Sequence, residues 1–141
     1  MLDVAMETGT DARYRHSSVV IVEFKKPGRV DYGRHDDPIA QVRQYAELIS
    51  KGTVKREDGT AIEVDAGTKY FGYVIADPAD KLTDFANHYE MRPLANGQGW
   101  SRHFEGPARP YIEMLSYSQA LTLAKRRNGI FFHLLGIRRT Q

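Results

Sequence analysis

The feature that most constrains this fold is a run of four β-branched residues, 19–22, that leads directly into Glu23-Phe24-Lys25. Such a run is typical of a strand that is buried on both faces of a sheet. Because side chains alternate along a strand, we expect Glu23 and Lys25 on one face and Phe24 on the other. An acid and an amine are costly to bury unless they are paired. The pair is either a salt bridge that ends a core strand or part of a metal-ion site.

A second acidic residue, Asp3, lies in segment 2–7, where apolar residues and other residues roughly alternate. That alternation predicts a strand. The polar segment that follows contains Gly9 and Asp11, which are common in turns. We therefore expect a hairpin in which Asp3 stands beside Glu23, so that both carboxylates are within reach of one ion.

An amphipathic helix is predicted after the central strand. Asp37 can cap it, Pro38 suits its first position, and Gly52 follows its expected end near Ser50. At about 100° per residue, one arc of this helix is apolar. The apolar arc contains Ile39, Val42, Tyr45, Ala46, Leu48 and Ile49.

Gln41 lies inside this apolar arc, one turn before Tyr45. A buried amide must find hydrogen-bond partners. In one interpretation, Gln41 bonds a backbone group of the sheet. In the other, Gln41 and Tyr45 are catalytic residues that face a metal site and orient Lys25 or a phosphate.

The order of these motifs resembles the PD-(D/E)xK nuclease superfamily. The motifs are an acidic residue at Asp3, an E-x-K triplet from Glu23 to Lys25, and a helix with Gln-x-x-x-Tyr at residues 41–45. Segments 22–29 and 37–45 are also similar to nuclease-like domains found at the C-terminal end of large bacterial ATP-binding proteins. The chain departs from the family pattern at Leu2, where a proline usually precedes the aspartate.

The resemblance implies an α/β (α+β) fold, with a restriction-endonuclease-like core in which a central mixed β-sheet is flanked by helices. In the family a helix and another strand usually precede the first motif. We therefore expect residues 1–141 to be a single domain without its N-terminal helix. Such a domain would be a fragment or the C-terminal domain of a larger protein.

The resemblance also implies hydrolysis of phosphodiester bonds with Mg²⁺ or Mn²⁺ as the cofactor. Asp3 and Glu23 would be the metal ligands, with the carbonyl of Phe24 as a third ligand. Lys25 would lie beside the metal-bound water, where it could position that water and stabilise developing charge.

A basic loop follows the central strand, because proline and glycine interrupt regular structure at residues 27 and 28. Lys26, Arg29 and Arg34 belong to this loop. Ligands of open α/β sheets usually bind at the strand ends from which such loops emerge. The three residues are therefore candidates for contact with DNA phosphates, and the alternative is a solvated loop.

The rest of the sequence predicts a turn, a strand and several helices, without a further motif. Asp58-Gly59 indicates a hairpin turn within a surface insertion. The expected elements are a strand at 70–76, a helix at 79–89, a helix from Ser116 or Ser118 that ends at Asn128-Gly129, and a short helix at 130–135.

Residues 98–104 alternate aromatic and basic residues with small ones and include Trp100, the single tryptophan. Aromatic residues interleaved with arginine can stack on nucleic-acid bases. They can equally pack an edge strand against the core, and we favour packing. Segment 111–115 could pair with this stretch as a hairpin.

Composition limits the class of protein. At 141 residues, 41% hydrophobic and 27% charged, the chain has the make-up of one globular domain. Its net charge of +2 does not by itself indicate a nucleic-acid-binding protein. The absence of cysteine excludes disulfides, thiolate zinc sites and cysteine nucleophiles. No apolar run approaches the roughly 20 residues that span a bilayer, so we expect a soluble, cytoplasmic protein without a membrane partner.

Three functions remain open at this stage. The first is a metal-dependent DNA nuclease that acts in phage defence or restriction, with a second copy of the chain or an ATPase region of the parent protein as further partners. The second is a catalytically inactive nuclease-like module that binds DNA or regulates. The third is a plain structural α/β domain, which would require the motifs to coincide by chance.

Overall fold

The computed structural model describes residues 2–8, 16–26, 37–77, 79–95, 97 and 99–134, and the side chains within 17–26, 37–77, 80–95, 97 and 99–128. In this part of the chain the elements are β1 Leu2–Thr8, β2 His16–Phe24, α1 Pro38–Ser50, β3 Lys69–Ile75, α2 Ala79–His88, β4 Arg92–Pro93, β5 Trp100–His103, β6 Tyr111–Leu115 and α3 Tyr117–Leu134. The strands form one mixed sheet in the order β1-β2-β3-β6-β5-β4. The predicted α/β architecture, a mixed sheet flanked by helices, is confirmed.

The topology places the carboxyl ends of three strands at one edge of the sheet. β2, β3 and β6 run parallel to one another, whereas β1 is antiparallel to β2 and β5 is antiparallel to β6. The start of β1 therefore lies at the same edge as the ends of β2, β3 and β6. Open α/β sheets usually bind ligands at such an edge.

Helix α1 packs closely on one face of β2 and β3. Val19 and Ile21 of β2 and Val42 of α1 have no exposed surface. Gly72, the partner of Ile21 in β3, makes this contact possible. A Cβ atom on Gly72 would lie only 2.5 Å from Cγ1 of Val42. The absence of a side chain at residue 72 therefore sets how near the helix lies to the sheet.

The bounds of α1 agree with the sequence-based prediction. The carboxylate of Asp37 accepts hydrogen bonds from the second and third helical amides at 2.9 and 3.1 Å. Gly52 follows the helix with φ of 72°, a conformation that glycine adopts without strain. The predicted apolar arc was too wide, however. Tyr45 and Leu48 are each 38% exposed, because only the central stripe of the arc faces the sheet.

Three further local predictions agree with the structure. The Asp58-Gly59 turn closes a small hairpin through a bridge between Lys55 and Ala61. β5 pairs with β6 as predicted, and Trp100 is half-buried against the core, so the packing interpretation of this residue is confirmed.

The predicted break at Asn128-Gly129 is wrong. α3 is one helix from Tyr117 to Leu134 and passes through both residues. A glycine inside a helix costs only about 1 kcal/mol, and flanking helix-forming residues can offset that cost. No helix among the described residues has both the length and the apolar character needed to cross a membrane.

Candidate functional site

The site is a cluster of three polar side chains, the buried Glu23 and Lys25 and the half-buried Gln41, which we call the Glu-Lys-Gln cluster. Nζ of Lys25 lies 3.0 Å from Oε1 of Glu23 and donates a hydrogen bond of 2.7 Å to Oε1 of Gln41. Glu23 is only 6% exposed and Lys25 only 7% exposed. The amine is therefore enclosed between a carboxylate and an amide oxygen.

Local sequence explains why these side chains meet. Glu23 and Lys25 follow the β-branched run and occupy the face of β2 that α1 covers. Gln41 lies in the first turns of α1, above the end of β2. Gln41 accepts a hydrogen bond from Lys25, the contact that the second interpretation expects, and the catalytic role of Gln41 stays a prediction.

The backbone of Lys25 is held from two neighbouring elements. Its amide donates to the carbonyl of Ile75 at 3.0 Å, which extends the pairing of β2 with β3. Its carbonyl accepts a hydrogen bond of 2.5 Å from the hydroxyl of Tyr117, at the start of α3. Burial raises the pKa of Tyr117, and the charge of Asp77 raises it further. The hydroxyl therefore remains a proton donor near neutral pH.

The amino end of α1 is also fixed from outside the helix. The hydroxyl of Tyr89 donates to the Asp37 carboxylate that caps α1. Burial raises the pKa of Tyr89 far above its usual value. The hydrogen bond to Asp37 and the negative charge of Asp37 raise this pKa further. Arg102 in turn donates a hydrogen bond of 2.5 Å to the carbonyl of Tyr89. These contacts hold the turn of α1 that precedes Gln41.

The predicted placement of Asp3 beside Glu23 is wrong. In the β1–β2 ladder Asp3 is the partner of Val22, and Leu2 is the partner of Glu23. Successive rows of a ladder belong to alternate faces of the sheet. The register therefore does not place Asp3 in the row of Glu23.

The hydrophobic pattern of the hairpin explains this register. Val4 pairs with Ile21, and Met6 pairs with Val19. The apolar residues of β1 thus share rows with the fully buried residues of β2. A shift by one residue would bring Asp3 to Glu23 but would move the whole apolar set of β1 to the other face.

The other predicted site residues lie apart from the Glu-Lys-Gln cluster or outside the described residues. Tyr45 is on the exposed flank of α1, although it is one turn from Gln41. Lys26 is exposed directly after the cluster, and the side chain of Phe24 is half-buried on the other face of β2. Arg29 and Arg34 fall outside the described residues.

The cluster offers limited support for a divalent cation. Among the described residues there is no group of three His, Cys, Asp or Glu side chains that could hold a metal. Glu23 supplies one carboxylate, and the carbonyl of Phe24 is adjacent in the chain. Mg²⁺ in enzymes is often held by one or two carboxylates together with waters and substrate phosphates. Glu23 is therefore the one carboxylate of the cluster that could ligate such an ion, and the other ligands would have to be waters, a backbone carbonyl or a phosphate.

Sequence reasoning missed Tyr89 and Tyr117. Tyr89 is 52 residues away from its partner Asp37, and Tyr117 is 92 residues away from Lys25. Neither pair has a spacing that a helix or a hairpin would indicate. Only the order of the strands in the sheet brings them together.

Searches against protein-family models, curated proteins and solved structures find no match to this chain. The functional argument therefore rests on the residues of the cluster themselves. The cluster holds an ammonium group close to a carboxylate, at the edge of the sheet where the parallel strands end. This arrangement can bind a phosphate and stabilise charge that develops on it.

Proposed function

We propose that this chain is a Mg²⁺-dependent deoxyribonuclease domain in which the Glu-Lys-Gln cluster acts on a phosphodiester bond of DNA. One observation carries the proposal: Lys25 is buried at the carboxyl end of a core strand, bonded to Glu23 and to Gln41. A buried ion pair is a poor source of stability, because desolvation offsets most of its attraction. Its position at the carboxyl end of a parallel strand, where open α/β sheets usually bind ligands, supports a role in chemistry.

Each side chain has a separate role in this proposal. Glu23 would hold the ion. Lys25 has three N–H donors, and Glu23 and Gln41 are its acceptors among the described side chains. A remaining donor can bind a phosphate oxygen and stabilise the charge that develops as the bond to phosphorus breaks. Gln41 would hold the amine in that orientation. Mg²⁺, when bound, would polarise the phosphate and lower the pKa of a bound water.

Asp3 and Tyr45 have no part in this proposal. The register of β1 assigns Asp3 to the row of Val22, and Tyr45 is exposed on the flank of α1. The proposed site therefore relies on fewer carboxylates than the nuclease pattern requires. Lys26, which is exposed beside the cluster, is a candidate contact for the DNA backbone.

A second candidate function is a nuclease-like module that binds DNA or regulates without cleaving it. The β1 register favours this candidate, because it removes the second carboxylate from the row of Glu23. In such a module the ion pair of Glu23 and Lys25 would be structural.

The test is single-turnover cleavage of plasmid and linear DNA with Mg²⁺ or Mn²⁺, measured beside the affinities for DNA and for Mg²⁺. For the nuclease, we expect Lys25→Ala to lower the cleavage rate by roughly 10²–10⁴-fold and to leave DNA affinity nearly unchanged. Glu23→Ala should lose Mg²⁺ affinity and activity together. Lys51→Ala, an exposed lysine at the far end of α1, is the matched control and should behave as the wild type.

Two results would decide against the nuclease. An active wild type whose Lys25→Ala variant cleaves at an undiminished rate would remove the role assigned to Lys25. A wild type that binds DNA but cleaves neither substrate with either metal ion would favour the non-catalytic module. In that case Lys25→Ala should only weaken DNA binding slightly, and the effect should depend on salt.

A further inference from the structure

A large cavity lies at the end of the sheet opposite to the Glu-Lys-Gln cluster. The loop that leads into β3 and the hairpin loop between β5 and β6 border it, and its volume is about 910 Å³. Binding sites for small molecules typically measure about 300–1,000 Å³. Lys69, at the cavity, is five residues before Val74, the partner of Glu23. At about 3.3 Å per residue the two places are roughly 17 Å apart along β3.

A row of three rings forms part of the cavity wall. Phe71 of β3 pairs with Tyr111 of β6, and Tyr111 pairs with His103 of β5. The three side chains therefore lie side by side on one face of the sheet. Phe71 and Tyr111 are half-buried and His103 is exposed. Part of each ring surface is therefore accessible to a ligand. The rings of His103 and Tyr111 are 6.5 Å apart, edge to face.

Basic groups stand at two sides of this row. Lys69 is two residues before Phe71 and thus on the same face of β3. Arg109 lies on the hairpin loop, with φ of 48°, a conformation that is uncommon for a residue other than glycine. Nε2 of His103 lies 2.9 Å from the carbonyl of Arg109, which ties that loop to the row of rings.

The charged side chains that line the cavity are basic, although Asp65 accepts from the amide of Gly67 and Glu113 from the hydroxyl of Tyr111, both lining residues. Lys69 and Arg109 line it, and none of the described lining residues is an aspartate or a glutamate. Glu105 borders a smaller adjoining cavity, together with His103 and Arg109. A ligand in the large cavity would therefore contact cationic groups at the margin of the cavity and aromatic rings on its wall.

We propose that this cavity binds a nucleotide, with the base on the rings of Phe71 and Tyr111 and the phosphate between Lys69 and Arg109. Stacking on aromatic side chains is the usual way in which proteins hold a base without reading its sequence. Arginine and lysine are the usual partners of phosphate. An apolar ligand would leave the cations unused, and an inorganic anion would leave the rings unused. Aromatic rings beside cationic side chains therefore favour a ligand that has both a flat ring and a phosphate.

The test is calorimetric titration of the full chain with AMP, with adenosine and with ribose 5-phosphate. We expect AMP to bind at one site, and each of the two fragments to bind at least about tenfold more weakly, because each lacks one half of the recognition. If AMP produces no saturable heat at millimolar concentration, or binds no better than ribose 5-phosphate, the proposal is wrong.

Substitutions locate the site. Lys69→Gln and Arg109→Gln remove exposed charges and should leave the fold intact, which circular dichroism would check. Each should weaken AMP binding about tenfold, as expected for a lost charged hydrogen bond. Lys81→Gln, an exposed lysine of α2 away from the cavity, is the control. Unchanged AMP affinity in both cavity variants would place the binding elsewhere and overturn the proposal.

The nucleotide could be a free molecule or one unit of a single-stranded nucleic acid. Titration with a 5′-phosphorylated hexathymidylate separates the two sources. Tighter binding of the oligomer than of AMP, sensitive to Lys69→Gln, would indicate a nucleotide of a single strand. Binding of AMP alone would indicate a free nucleotide. The affinity for AMP and its sensitivity to Lys69→Gln are measured without any cleavage, so this proposal can succeed or fail independently of the nuclease.

Discussion

The amine of Lys25 lies between one charged acceptor, Glu23, and one neutral acceptor, Gln41. Leaving such a group in the interior without partners would cost several kcal/mol. Glu23 offsets the charge, and Gln41 provides an additional acceptor at 2.7 Å. Because Gln41 accepts from Lys25 without carrying a charge, it can fix the amine and still leave the amine's positive charge available to a phosphate.

Replacement of Gln41 tests this view of the amine. Gln41→Ala should destabilise the fold by about 1–3 kcal/mol, because a buried donor of Lys25 loses its acceptor. It should also lower the single-turnover cleavage rate of the folded protein by about tenfold or more, because the amine is no longer held in place. Urea unfolding and cleavage assays would measure the two effects.

Gln44 offers a matched control for this variant, since it is an exposed glutamine on the same helix. Gln44→Ala should change neither stability nor rate. A Gln41→Ala variant that is destabilised but cleaves at the wild-type rate would mean that Gln41 serves only the core.

At the scale of the elements, the close packing of α1 on β3 positions one side chain of the site. Gly72 and Val42 meet where α1 crosses the sheet, and the same helix carries Gln41 to Lys25. Any change that lifts α1 from β3 should therefore also lengthen the contact between Gln41 and Lys25.

A methyl group at residue 72 tests the closeness of this packing. Gly72→Ala places a Cβ atom 2.5 Å from Cγ1 of Val42 and 3.1 Å from Cγ1 of Ile112. Overpacking of this kind typically costs about 1–3 kcal/mol, measured as a lower free energy of unfolding in urea. Gly67→Ala, where the nearest side-chain atom is 3.3 Å away, should cost much less.

A second substitution can relieve the strain. Val42→Ala removes the atom that a side chain at residue 72 would strike. The double variant with Gly72→Ala should therefore lose less stability than the sum of the two single variants. Simple additivity would mean that α1 and β3 do not meet as described.

The elements also differ in how far sequence alone predicts them. Helix α1 is predictable to its ends, because Asp37, Pro38 and Gly52 act locally on the backbone. The end of α3 is not, since Asn128-Gly129 is a strong local stop signal that the continuing helix overrides. The register of β1 follows the face of β2 that α1 buries, and α1 lies about 30 residues after β1 in the chain.

In the whole molecule, every described strand belongs to one sheet, and β3 lies at its centre between β2 and β6. One cluster of buried apolar residues joins the face under α1 to α2 and to the β5–β6 hairpin. The molecule should therefore unfold as a unit.

The single tryptophan provides a probe for this expectation. Trp100 packs against the core from β5, far from β2. Urea unfolding followed by tryptophan fluorescence and by far-ultraviolet circular dichroism should give the same midpoint. Two separate midpoints would show that the outer hairpin unfolds independently of the central strands.

The candidate site was only partly predictable from sequence, and the range of its contacts explains why. Glu23 and Lys25 are two residues apart on one strand, so alternation alone places them together. Gln41 was found by its intrusion into an apolar arc. Tyr89 and Tyr117 depend on the assembled sheet, and the expected partner Asp3 failed because a register cannot be read from one strand.

The length of β3 has a consequence for how this molecule could change over time. The Glu-Lys-Gln cluster and the cavity at Lys69 share a strand but have no side chain in common. Sites separated by more than about 10 Å without shared partners are usually altered independently. Selection could therefore alter the residues at the cavity while the Glu-Lys-Gln cluster at the other end of the sheet is inherited unchanged.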